Sequence, residues 1–158
     1  MSHFIKQSTD GGFEIVDAVS GRTVQKYYAN GGSHKELTGT YTVPQTENGT
    51  TYYLNSATEF ATTLPAPFLG AEFRFIVKAA PSGASYTVVT SSSANIIKGM
   101  QNPAAAAAGD TGTADDTITF VDGQAVAGDM VELWSDGTSW FAQAFSRVAA
   151  GITFTQAS

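Results

Sequence analysis

Between Thr50 and Thr90 the chain reads TTYYLNSATEFATTLPAPFLGAEFRFIVKAAPSGASYTVVT, short runs of alternating apolar and polar residues cut apart by Pro and Gly. Alternation at period two sends successive side chains to opposite faces of an extended strand, whereas a helix needs its apolar set every three or four residues. Several such runs in succession predict consecutive strands, and with them an all-β chain folded as an antiparallel β-sandwich or a jelly-roll-like barrel. In Ala71 to Ala79 the pattern assigns Phe73, Phe75 and Val77 to a core face, with Glu72, Arg74, Ile76 and Lys78 opposite. Pro65 and Pro67 cannot donate to a central ladder, so LPAP marks a strand end or a crossing loop.

The same signal predicts strands at Leu37 to Val43, Thr51 to Leu54, Glu59 to Leu64, Ser85 to Thr90 and Ala94 to Lys98. It returns at Thr117 to Asp122, Asp129 to Ser135, Thr138 to Phe145 and Gly151 to Thr155. Asp136-Gly137, between VELWS and TSWFAQ, predicts a two-residue hairpin, because a type I′ turn needs positive φ at both central positions. Such a hairpin pairs Ser135 with Thr138, Trp134 with Ser139 and Leu133 with Trp140. The two indoles then fall on opposite faces, one in the core and the other at an interface. Val121 to Gln124 predicts a second turn. In Gln101 to Asp116 the strand pattern lapses; Asn102 as cap, Pro103, the alanine run and Gly109 fit a short helix, with an extended surface loop as the alternative. No segment repeats at the period of roughly 20 to 50 residues that marks solenoids and propellers.

Residues 1–40 differ from the rest of the chain. They are polar and Gly-punctuated, with β-like runs at Phe13 to Asp17 and Arg22 to Tyr28 and turn signals at Gly11-Gly12, Ser20-Gly21 and Asn30-Gly31-Gly32. Such a segment buries little by itself. We expect an extended N-terminal arm tied down by a neighbouring subunit, followed by a β-rich body domain over 41–158.

Composition bounds the function. The 158 residues suit one domain, and only 14% of them are charged, which fits a hydroxyl-rich surface partly covered by other subunits. A net charge of −6 with eight scattered basic residues gives no footprint for a phosphate backbone, so no nucleic-acid partner is expected. With no cysteine, neither disulfides nor thiolate metal sites contribute. No apolar run approaches the ~18 to 20 residues of a membrane span, and MSHFIKQSTDGG lacks signal-peptide features, so the chain is expected to be made and used without export and without a membrane partner. Asn48-Gly49-Thr50 matches a glycosylation sequon, and in that setting reads as a turn.

Candidate chemistry is sparse. His3 and His34 both lie in the arm, where an oriented catalytic imidazole is not expected. Asp110, Asp115 and Asp116 cluster without the spacing of a calcium loop and read better as a solvated loop. Glu59, Glu72 and Glu132 offer carboxylates, but nothing in the sequence pairs two of them at glycosidase separation. Trp134, Trp140, Tyr52, Tyr53 and Tyr86 allow a platform for sugar stacking. No cofactor and no metal is implied.

TYYLNSATEF (51–60), TLPAP (63–67) with GAEFRFIVKAAPSGASYTVVT (70–90), ANIIKGM (94–100) and TITFVDGQAVAGDMVELWSDGTSWFAQA (117–144) resemble a β-rich module of structural proteins in tailed bacteriophages. In particular the chain is similar to head decoration, or cement, proteins, over about Tyr41 to Phe154. The resemblance implies a non-enzymatic virion protein made in the host cytoplasm and bound to the outer surface of the phage head. Its partner would be the major capsid protein, engaged as a homotrimer at junctions between capsomers. On that reading the arm anchors the protein to capsid or sister subunit through Phe4, Ile5, Phe13, Ile15, Val24, Tyr27 and Tyr28, and Trp134 or Trp140 serves as an interface aromatic. The alternative is a tail fibre or spike module that binds host-surface glycans, and a virion-associated glycan hydrolase is a third reading.

Overall fold

The alternating runs become strands and stack as two sheets around one core. The computed structural model describes residues 3–7, 13–21, 23–27, 33–102 and 114–156. Strands β1 (His3–Gln7), β2 (Phe13–Asp17) and β3 (Thr23–Tyr27) form an antiparallel sheet of their own, in that order. The body follows with β4 (His34–Leu37), β5 (Tyr41–Thr42), β6 (Thr51–Leu54), β7 (Phe60–Thr63), β8 (Leu69–Val77) and β9 (Tyr86–Val89). It is completed by β10 (Ile97–Asn102), β11 (Thr117–Phe120), β12 (Met130–Asp136), β13 (Trp140–Phe145) and β14 (Ile152–Thr155). Six of these strands pair in the order β10-β13-β12-β8-β6-β4, and five in the order β14-β11-β9-β7-β5.

Period two settles which residues meet between the sheets. Leu37, Tyr52, Leu54, Phe73, Phe75, Val77, Val131, Leu133 and Trp140 face inward from the six-stranded sheet, and Phe60, Tyr86, Val88, Ile118, Phe120 and Ile152 from the five-stranded one, all within one buried cluster. The predicted core face of Ala71 to Ala79 is therefore the observed one, with Glu72 and Arg74 outward. The LPAP segment lies between strands as expected.

The chain is all-β and sandwich-like, but its sheets are mixed where antiparallel pairing was expected. The pairs β4/β6, β6/β8, β5/β7, β7/β9 and β10/β13 are parallel. From β4 to β9 the chain changes sheet at every strand, and successive members of one sheet run the same way. Alternating hydrophobicity does not encode this, because a strand presents the same two faces in either direction.

Three further differences have local causes. The strand expected over Leu37 to Val43 is broken at residues 38–40, and its halves enter different sheets. Strand β4, which the sequence places with the arm, pairs in parallel with β6 and puts Leu37 in the core. The turn after β12 is longer than two residues: Ser135 opposes Trp140, Trp134 opposes Phe141 and Leu133 opposes Ala142. Only Gly137 has positive φ there, at 96°, and Asp136 Oδ1 accepts from Thr138 N, Thr138 Oγ1 and Ser139 N at 2.8 Å each. The carboxylate thus organises a wider loop than a type I′ turn needs. A register slip of two preserves the faces, so the indoles still point oppositely. Gln101 and Asn102 finish β10, and the remainder of the expected short helix, 103–113, lies outside the described residues.

Candidate functional site

Three acidic side chains are held in the tight hydrogen-bonded environments that enzymes also use, and here each fastens the chain. Glu47, on the 3-10 turn Gln45–Glu47, accepts from Tyr52 Oη at 2.7 Å, Tyr41 Oη at 2.8 Å and Lys35 Nζ at 2.9 Å. Burial raises its carboxyl, but the Tyr52, Lys35 and Tyr41 donors outweigh that and hold it below its ordinary 4.5. The Tyr52 phenol is pushed upward, by burial first and by the Glu47 carboxylate second. Since Lys35 and Tyr52 belong to one sheet and Tyr41 to the other, this knot ties the layers together. Asp129, nearly fully buried, accepts from Val126 N and Ser146 Oγ at 3.0 Å and from Arg147 N at 2.9 Å. Asp136 is held down at about 2, chiefly by the Ser139 and Thr138 amides.

The residues singled out from sequence scatter. His3 is exposed on β1, and His34 is exposed on β4 with its ring 6.3 Å from Tyr53. Asp115 pairs its backbone with Ile97, while Asp116 is buried and accepts from Thr117 Oγ1 at 2.7 Å, so this is not the solvated loop expected; Asp110 lies outside the described residues. Among the described residues, no group of three or more His, Cys, Asp or Glu is placed to hold a metal ion. Glu59 is exposed in the loop before β7, and the register sets Arg74 opposite Glu132, with Arg74 Nε donating to Glu132 Oε1 at 2.7 Å. Glu72 sits one row from Glu132 on the same face, and Glu132 keeps Arg74 as its ion-pair partner.

The five-aromatic platform dissolves. Trp140, Tyr52 and Tyr86 are core residues, Tyr53 is half-buried, and Trp134 alone stands well exposed on the outer face. In the arm sheet Phe4 and Ile5 are exposed, at 48% and 73%, and Ile15 is half-buried. Phe13 and Tyr27 are backbone partners between β2 and β3, Val24 lies on β3, and Tyr28 lies outside the described residues.

What the fold assembles instead is the outer face of the six-stranded sheet. Cross-strand register arranges it in transverse rows. The first runs Lys98, Phe141, Trp134, Glu72 across β10, β13, β12 and β8. The second runs Met100, Gln143, Glu132, Arg74, and the third continues through Phe145, Met130 and Ile76 to Tyr53 and Glu36. Trp134 and Phe141 are about 40% exposed, Met100 59%, and Lys98 Nζ sits 5.4 Å from the centre of the Phe141 ring. At the β4 side a cleft of about 360 Å³ lies among His34, Glu36, Tyr53 and Lys78, where Glu36 is held by Lys78 and by Asn55 Nδ2. The outward positions of the five-stranded sheet, among them Thr63, Thr87, Thr117, Thr119 and Thr153, carry no charge.

Phe141 and Met100 escaped the sequence reading. The signal was present: in Trp140-Phe141 adjacent residues of a strand cannot both face the core, so one large aromatic had to be exposed. No family model matches the chain, and no curated protein or solved structure does so either.

Proposed function

We propose that this is a non-enzymatic virion protein, a capsid decoration protein that binds the outer head surface of a tailed phage and strengthens capsomer junctions as a homotrimer. The observation that carries the reading is the division of labour in the chain. The body spends its tightly bonded carboxylates, Glu47, Asp129 and Asp136, on holding its own loops and layers. A separate N-terminal sheet meanwhile exposes Phe4 and Ile5, one on each of its faces, as apolar surface open to a partner. Several weak patches on a symmetric oligomer, each engaging a neighbouring capsid subunit, combine into firm attachment. The resemblance of 41–154 to such modules supports the same reading.

Imaging intact particles and counting copies tests it. Hundreds of copies over the head, with lost heat resistance when they are missing, would support the proposal; a handful at the tail would defeat it. The anchoring role of the arm is tested by a truncation that stops before Ser33, because β4 belongs to the body. The truncated chain should melt as the full one does and fail to bind capsids. A tail module for host glycans is the second reading, favoured by the exposed Trp134–Phe141 pair.

A further inference from the structure

We propose that the outer face of the six-stranded sheet pairs with the same face of a second copy, about a two-fold axis running along the strands between β12 and β13. The first row reads cation, aromatic, aromatic, anion: Lys98, Phe141, Trp134, Glu72. A two-fold axis lying in the face sets each row over its own reverse. Lys98 then meets the partner's Glu72, Glu72 meets the partner's Lys98, and Phe141 meets the partner's Trp134. In the second row the Gln143 amide meets the partner's Glu132, and the Arg74 stem covers the partner's Met100. In the third row Phe145 meets the partner's Met130.

Charge makes this pairing selective. Each copy carries −6, so an arbitrary approach of two copies opposes like charges. The two-fold overlay opposes none in these rows. Lys98 and Glu72 are exposed, and neither enters the described ion pairs Lys35–Glu47, Arg74–Glu132 and Lys78–Glu36. Trp, Phe, Met and Arg are also the residue types that interfaces enrich. The contact is isologous, as a two-fold requires, and face-to-face sheets accept strand directions within about 30°. Four strands at ~4.8 Å and six residues at ~3.4 Å cover about 400 Å² a side. That is roughly half of a standard partner face, so the association is weak and depends on concentration. It is distinct from the threefold clustering proposed above, and would join subunits of different trimers.

Sedimentation of the full chain, taken from micromolar into the millimolar range, tests the pairing without any capsid. Self-association should appear, accompanied by a blue shift of Trp134 emission. Lys98→Glu and Glu72→Lys should each weaken it about tenfold or more, through two like-charge contacts per dimer. The combined K98E/E72K variant should regain most of the loss, while melting curves confirm that all three fold. A chain that stays monomeric overturns the proposal, as does association indifferent to the single reversals or not recovered by the pair. A Trp134 shift produced by host polysaccharide on a monomeric protein also overturns it and gives the face to a glycan. Trimers that stay apart from one another up to millimolar concentration would defeat the two-fold contact while leaving the capsid reading untouched.

Discussion

The Tyr52 hydroxyl donates a 2.7 Å hydrogen bond to Oε2 of Glu47, so a phenol rooted in the core reaches the turn that closes the end of the sandwich. With Tyr41 and Lys35 also donating, Glu47 holds its proton less tightly folded than unfolded. The stabilisation is complete above the ordinary value of 4.5 and is lost as the pH falls through the lower folded value. Glu47→Gln should cost about 1.5 kcal/mol at neutral pH, and that deficit should shrink on acidification. Urea titrations of both proteins across a pH series measure it.

Trp140 and Trp134 should respond oppositely to truncation. Trp140 is fully buried with its ring 5.8 Å from Phe73, so Trp140→Ala should cost about 3 to 5 kcal/mol. Trp134→Ala should stay within about 0.5 kcal/mol of the parent. Iodide quenching of the single-tryptophan variants separates the two: Trp134 should be quenched and Trp140 protected.

Thr62 is a buried strand residue whose hydroxyl finds no partner among the described residues. Valine keeps the β-branched shape and removes the stranded polar atom, so Thr62→Val should gain about 1 kcal/mol. An unchanged or lowered melting midpoint would mean that the hydroxyl is satisfied.

Gly99 on β10 lies against the Phe154 ring, and a Cβ there would overlap it. Gly99→Ala should therefore cost about 1 to 3 kcal/mol. Combining it with Phe154→Leu should cost less than the sum of the single changes, a coupling that a double-mutant cycle reads directly.

The sequence exposed strand positions and faces well because both follow from local alternation: Phe73, Phe75 and Val77 went inward, and Trp134 and Trp140 went opposite ways. Strand direction and neighbour were not legible, since β4, β6 and β8 look alike whether they run parallel or antiparallel. The turn at Asp136 was located but not measured, because its length depends on side-chain acceptance by Asp136 as well as on the freedom of Gly137. The aromatic rows were hidden for a related reason. Phe141, Trp134 and Lys98 lie apart in sequence and become neighbours only through register.

The strand order also dictates a timetable for synthesis. The inner strand β12 is the partner of β8, yet 52 residues separate Val77 from Met130, and β13, on which β10 depends, comes later still. A nascent chain that has already delivered β4 through β10 must wait with the β8 edge open and Phe73 still without Trp140. The ribosome thus releases a half-roofed sandwich until its last quarter emerges, and the chaperone demand of this protein should fall in that interval.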